Sequence, residues 1–385
     1  MKKNNNPQRP LRLHMLPAVI VLFAVIIMPQ SSHANSTFSK SRALGVMATA
    51  VKTEIAVSWE PVKGASGYLV YEAVRQNDKT MSISAYQLAK QTKNHKCILK
   101  NRQPGEVYYY YVRAYKIKHN GAMQYSRSSK RVSTTVPLEG VSTIKNFLQT
   151  AIAPVGSTMY VWGGGWNRAD TAAGKDAKHV GLSSKWREFT KNKSSSYNYN
   201  HYRYQIHNGL DCSGYVGWCI YNVLNTHNGK KGYVYKASKQ AKKFSNLGFG
   251  DYHPAKQITD YRAGDIMSSS CQCCGHVWIV VGQCEDGSVV LLHSSPCGVQ
   301  LCGTTTPSGT VDSKAYRLAK SYMKQYYNKW YEKYPRVNRG SSYLTHYGQM
   351  RWDTKGENII LSDPDGYQNM GAEEILGDLF RREGQ

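Results

Sequence analysis

The chain has 385 residues, with 50 Lys and Arg against 25 Asp and Glu, and carries a formal charge of +25. A hydrophobic fraction of 41% with 11% aromatics excludes a disordered chain even at that charge, and the length allows two or three folded units. Tyr outnumbers Phe 29 to 7, a bias towards surfaces that are wet on one side and apolar on the other.

Met1 to Ala34 reads as a secretory signal peptide. Lys2, Lys3, Arg9 and Arg12 form a positive leader, Met15 to Met28 is an apolar run, and Ser32-His33-Ala34 ends in a small residue suited to cleavage. The run is short for a membrane span, which needs ~20 apolar residues, although an uncleaved anchor is the alternative reading. Removing the leader takes away four positive charges and lowers +25 to +21. An exported protein of that charge meets anionic cell-surface polymer rather than nucleic acid, unless the charge serves only solubility.

Residues 50–137 read as a small all-β unit. Ile55, Val57 and Trp59 alternate with polar residues, a turn spans Gly64 to Gly67, and Tyr108 to Tyr115 makes a long aromatic strand. The rows VSWEPVKGASGYLVYEA and PGEVYYYYVRAYK resemble a fibronectin type III domain. That resemblance implies a β-sandwich with Trp59 in its core and Tyr108 as a tyrosine corner bonded to backbone. It implies a spacer or binding module without chemistry of its own.

Residues 131–141 look like a linker, and Ser142 is placed to cap a helix running to Ala153 with Ile144, Phe147, Leu148 and Ile152 on one stripe. The stretch 167–208, rich in Lys, Ser, Asn and Tyr, lacks hydrophobic periodicity and reads as a long surface insertion, the kind of segment that serves as a lid or binding loop. Ser313 to Tyr331 predicts one amphipathic helix, and Ala372 to Phe380 another, so that 311–385 reads as a helical C-terminal extension.

The chemistry concentrates around Leu210-Asp211-Cys212-Ser213-Gly214. Val216, Cys219, Ile220, Val223 and Leu224 recur at helical spacing, which puts Cys212 at a helix N-terminus, where unpaired N–H groups and the helix dipole favour a thiolate. By itself, one Cys before an apolar helix is more often a packed residue than a nucleophile. A base is available in Gly275-His276-Val277, which opens an apolar strand; after the turn Glu285-Asp286-Gly287 a second strand ends at His293. Tight hairpin loops would pair residues whose numbers sum to 573 or 571; His276 and His293 sum to 569, an even offset, so both imidazoles project from one sheet face.

In chain order, Tyr160-Val161-Trp162-Gly163-Gly164, Asp211-Cys212-Ser213-Gly214, Ala263-Gly264-Asp265, Gly275-His276-Val277 and Leu292-His293-Ser294 resemble the motif blocks of NlpC-type cell-wall cysteine peptidases, over about 155 residues. These are papain-like hydrolases of bacterial peptidoglycan. The resemblance implies an α+β fold, with a papain-like catalytic domain over 138–310 preceded by the all-β sandwich. It implies Cys212 as nucleophile, His276 as general base and acid, and His293 as the residue holding His276. Tyr160, Trp162, Asp211 and Ser213 would line the substrate side, and the bond cut would be the γ-D-glutamyl amide to diaminopimelate or lysine. The insertion at 167–208 departs from the family pattern and leaves substrate preference open.

Six more cysteines crowd the same hairpin: Cys271, Cys273, Cys274, Cys284, Cys297 and Cys302. In an exported protein disulfides are the first reading, and Cys274 with Cys297 also sums to 571; six cysteines allow fifteen pairings. A zinc site is the competing reading, without a recognised ligand spacing. Cys97 and Cys219 read as ordinary buried thiols. Ser362-Asp363-Pro364-Asp365-Gly366 is an acidic turn read as helix capping rather than calcium binding. Gly163-Gly164-Gly165 does not precede an apolar helix as a phosphate loop would. No cofactor is expected. The sequence reading is therefore a secreted or cell-wall-associated bacterial hydrolase whose partners are peptidoglycan and anionic wall polymers, with no nucleic acid and no membrane contact beyond an uncleaved leader. An amidase or protein-directed peptidase of the same fold, and a non-catalytic wall adhesin, are the alternatives.

Overall fold

A computed structural model describes residues 38–75, 85–137, 141–224, 231–270, 275–356 and 359–380. The proposed leader and the residues Cys271, Cys273 and Cys274 lie outside the described residues, and so do the readings that depend on them.

The N-terminal unit contains β1 (Met47–Val51), β2 (Glu54–Ser58), β3 (Gly67–Arg75), β4 (Gln87–Thr92), β5 (Lys96–Leu99), β6 (Val107–Ile117), β7 (Met123–Tyr125) and β8 (Val132–Thr135). They form two antiparallel sheets, one ordered β1-β2-β5 and one ordered β4-β3-β6-β7, with β8 also pairing β6. Alternation sends Ile55 and Val57 from one sheet and Tyr68, Val70, Tyr110 and Val112 from the other into a shared core. Trp59 packs there edge-on to Tyr68 at 5.3 Å. The Tyr108 hydroxyl accepts from the Gln103 backbone N–H at 2.9 Å and so ties the start of β6 to the preceding turn. The expected linker at 131–141 is corrected at its start. Val132 to Thr135 form β8, because the main chain there pairs in register with Val107 to Tyr110.

The second unit begins with β9 (Ser142–Thr143) and α1 (Ile144–Ile152). Thr143, not Ser142, caps this helix, its hydroxyl accepting from the Asn146 N–H. Ser142 instead joins the two units, donating to the carbonyls of Ala50 and Val223 at 2.9 and 2.8 Å. Within the insertion, α2 (Ser184–Lys191) buries Trp186 edge-on to Trp218, so part of this stretch belongs to the core. Arg187 of α2 pairs with Glu60 of the sandwich at 2.5 Å.

Next come α3 (Cys212–Leu224), α4 (Gln240–Ser245), β10 (Gly250–His253), β11 (Ile266–Ser269), β12 (Val277–Gln283), β13 (Val289–Ser295) and β14 (Gly298–Thr304). Beyond them lie α5 (Lys314–Tyr326), α6 (Asn328–Lys333), β15 (Asn338–Arg339), α7 (Ser342–Thr345), β16 (Tyr347–Trp352), β17 (Leu361–Ser362) and α8 (Ala372–Leu379). Seven of these strands form one sheet in the order β10-β16-β11-β12-β13-β14-β15, antiparallel except for the last pair. The helix α3 is buried on every side from Cys212 to Val223 and packs against β12 and β13, as its nearly unbroken apolar sequence requires.

Three expectations about the C-terminal region are corrected. The single helix Ser313 to Tyr331 is two, broken at Tyr327, whose φ of −131° and ψ of 37° are not helical. The region is also not a helical appendage. Its strand β16 runs between β10 and β11, and β15 closes the far edge beside β14. The acidic turn does not cap the last helix, whose N-cap Gly371 makes no side-chain bond; the Asp363 carboxylate oxygens instead accept the Tyr367 and Gln368 N–H groups at 2.8 Å and close the turn on itself.

Candidate active site

Asp211 stands immediately before α3, and its carboxylate accepts the Gly214 N–H at 2.7 Å, the Ser213 hydroxyl at 2.8 Å and the Gly163 N–H at 3.2 Å. It thus caps the helix carrying Cys212 and ties it to the Tyr160–Gly164 block. Ser213 also accepts from Trp166 Nε1 at 3.0 Å. Both residues are buried and occupied by these bonds, so in this structure they shape the site rather than present polar edges to a ligand. The glycines explain the spacing of the motifs. A Cβ at Gly214 would lie 2.0 Å from the Gly164 carbonyl oxygen, so the two blocks can interlock only without a side chain there.

Cys212 is buried, and its Sγ lies 4.0 Å from the Gly275 carbonyl, with the N–H groups of Val277 and Ser213 also directed at it. Burial, reinforced by the Asp211 charge, pushes the thiol up to about 12, while those N–H groups oppose the rise. The resting group is therefore a thiol.

His276 sits at the start of β12. Its N–H donates to Ser269 Oγ at 3.0 Å and its carbonyl accepts from the Ser269 N–H at 2.8 Å, which pins it at the end of β11. The β12–β13 pairing has Ile279 opposite Leu292 and Val280 opposite Leu291, with a bulge before Gly282. That register puts His276 and His293 on one face, with His276 Nε2 2.9 Å from His293 Nδ1. His293 is completely buried. Burial and the nearby Arg339 charge hold both imidazoles well below the ordinary range, so both are neutral at neutral pH.

Tyr160 is buried with its hydroxyl close enough to Cys212 and Asp211 for their charges, after burial, to raise its pKa further. Trp162 is 41% exposed and carries Arg203 4.8 Å above its ring. The insertion reaches both: Tyr197 donates to the Tyr160 carbonyl at 2.6 Å, and the Tyr204 N–H donates to the Trp162 carbonyl at 2.9 Å. The stretch 167–208 thus runs along the Tyr160–Trp162 side of Cys212.

Three residues around the histidines carry no motif. Arg339 donates to His293 Nε2 from Nη2 at 2.9 Å and from Nε at 3.2 Å. Tyr343 stacks on Tyr347 at 5.2 Å, and its ring lies 5.8 Å from that of His276 and 6.0 Å from that of His293. All three come from the C-terminal region, and only the chain's excess of Tyr hinted at an aromatic wall. Asp265 lies behind this face, buried against Arg351.

Cys284, Cys297 and Cys302 are free thiols, and Cys97 and Cys219 are free as well. A disulfide among the first three is thus not formed here. Among the described residues, no group of three or more His, Cys, Asp or Glu is placed to hold a metal ion. No described helix is long and apolar enough to cross a membrane.

No protein-family model and no curated protein matches the chain. Among solved structures, it is similar to the FN3tt domain at 19% identity, covering 25% of this chain and 92% of that one with a TM-score of 0.20. It is similar to the FN5 domain of Drosophila Lar at 18% identity, covering 26% and 97% with a TM-score of 0.20. The fn3 domain of human collagen alpha-1(XX) gives 19%, 26%, 88% and 0.20. By its own strand order the chain is a mixed α+β protein, whose all-β part is a pair of antiparallel sheets with Trp59 packed between them and Tyr108 bonded to the backbone of the preceding turn.

Proposed function

We propose that the chain is an exported peptidoglycan hydrolase, a papain-like cysteine endopeptidase acting on stem-peptide amide bonds. The reading rests on one arrangement: Cys212 at the N-terminus of a buried helix, facing a sheet on which His276 and His293 are joined at 2.9 Å. A nucleophile, a base and a residue that orients the base are the parts of Cys-His catalysis.

In this reading the Cys212 thiol passes its proton to His276 as Sγ attacks the amide carbonyl. Backbone N–H groups at the start of α3 hold the oxyanion. His276 then protonates the leaving amine, which departs with its new N–H bond, and water, deprotonated by His276, releases the acyl group and restores the thiol. The raised thiol pKa fits proton transfer that accompanies attack rather than a standing ion pair. The γ-D-glutamyl bond is the proposed target through the family resemblance. The excess of basic residues would hold the enzyme on anionic wall polymer, with the sandwich as spacer or second binding module.

Replacing Cys212 with Ala and following release of stem-peptide fragments from purified sacculi tests the proposal; unchanged release would overturn it. Product masses separate the endopeptidase from an amidase, which leaves a free muramyl end.

A further inference from the structure

Arg339 is bonded to the same nitrogen of His293 twice, and a guanidinium only donates. His293 Nε2 is therefore the unprotonated nitrogen, and the proton of the neutral ring is on Nδ1. Across the 2.9 Å contact, His293 Nδ1–H donates and His276 Nε2 accepts. The proton of neutral His276 must then be on its own Nδ1, the only other nitrogen available to receive the thiol proton. In that state His276 can donate but has no lone pair left for the Cys212 proton. If His276 became doubly protonated, its Nε2–H would face His293 Nδ1–H.

From this geometry we propose that Arg339 is a positioning residue that holds the His276–His293 pair in a resting tautomer, and that an anionic group of the substrate frees the pair by taking the guanidinium. Among the described residues Arg339 has no carboxylate partner. Its other bonds go to the carbonyls of Asn338 and Arg336, to Ser295 Oγ and to the Tyr343 hydroxyl. It is only partly buried, at the sheet edge.

Once Arg339 lets go, His293 takes the Nε2–H form and can donate to Ser295 Oγ, already 3.2 Å away. The His293 Nδ1 proton crosses to His276 Nε2, water takes the proton from His276 Nδ1, and water returns one to His293 Nε2. No net proton is gained or lost, and His276 Nδ1 becomes a base. The identity of the anion rests on the peptidoglycan reading, in which a stem-peptide carboxylate is the group at hand; the tautomer lock does not depend on that reading.

Two measurements on the full chain test the lock. In wild-type protein with 15N-labelled histidine, two-bond 1H–15N correlations should report Nδ1–H for both His276 and His293, and Arg339→Met should convert both to Nε2–H. In parallel, alkylation of Cys212 by iodoacetamide, read by peptide mass, should be about tenfold faster in Arg339→Met than in wild type, with Arg339→Lys close to wild type. A tenfold change corresponds to about 1.4 kcal/mol in the barrier. Wild-type Nε2–H tautomers, or alkylation unchanged in a folded Arg339→Met, would overturn the lock. For the anion, wild type should cleave a carboxylate-bearing stem peptide faster than its amidated form and Arg339→Met should lose that preference; equal preference in both overturns the role of the substrate anion. Absence of any hydrolysis by wild type would count against the peptidase reading and against the anion, while the tautomer and alkylation results would still decide the lock.

Discussion

Asp265, immediately before β11, and Arg351 of β16 meet at 2.9 Å, 86 residues apart in the chain. The pair joins β11 to β16, and Gln349 completes it by donating to the same carboxylate at 2.7 Å. Burial pushes the Asp265 carboxyl up to about 6, against the pull of Arg351. The aspartate of the Ala263-Gly264-Asp265 block thus ties the C-terminal strand β16 to the start of β11. Asp265→Ala leaves Arg351 and Gln349 without their buried partner. It should cost about 3 kcal/mol, at the low end for a broken buried pair because Asp260 still holds Arg351. Urea unfolding measures this; a loss below about 1 kcal/mol would show that β16 is held by other means.

The interlocked glycines make a sharper structural prediction. Gly214→Ala forces a methyl group into the Gly164 carbonyl, a backbone atom that cannot rotate away. Loss of about 3 kcal/mol or failure to fold is expected, with thermal unfolding as the readout. A variant as stable as wild type would mean that the two motif blocks do not touch.

The pH profile follows from the depressed imidazoles. A histidine whose folded pKa lies below its ordinary value stays neutral as pH falls through about 6.5, so His276 is not lost to protonation there. The acidic limb of kcat/KM should therefore fall well below 6.5. The linkage has a matching sign. Below about 6.5 the unfolded chain takes up protons that the folded pair refuses, so the pair's contribution to stability is complete above that pH and lost as pH falls. An acidic limb at 6.5 would show that the histidines are more solvated than their burial implies.

Charge should act on location rather than on chemistry. If the basic excess draws the protein to anionic wall polymer, retention on sacculi should weaken steadily as salt rises. A pelleting assay across a salt series reads this directly, and salt-independent retention would assign binding to some other surface.

The parts of the site that sequence made legible are those defined by local periodicity. The apolar repeat after Cys212 marked a helix start, and hairpin arithmetic put His276 and His293 on one face without any knowledge of the rest of the sheet. What escaped notice was polar and distant. The strand Tyr347–Trp352 carries Gln349 and Arg351 where an apolar residue would have signalled burial, because their partner Asp265 is itself buried. Arg339 lies in a two-residue strand, too short for any pattern. Amphipathic spacing ran through Tyr327 unbroken, so the break between α5 and α6 left no trace in the periodicity.

The central claim is that Cys212, with His276 and His293, cuts stem-peptide amides. Digestion of defined muropeptides by wild type and by Cys212→Ala, with products identified by mass, tests it most directly. The account predicts fragments split at the γ-D-glutamyl bond with wild type and intact muropeptides with the variant. Intact muropeptides with wild type, or the same fragments from both proteins, would contradict it.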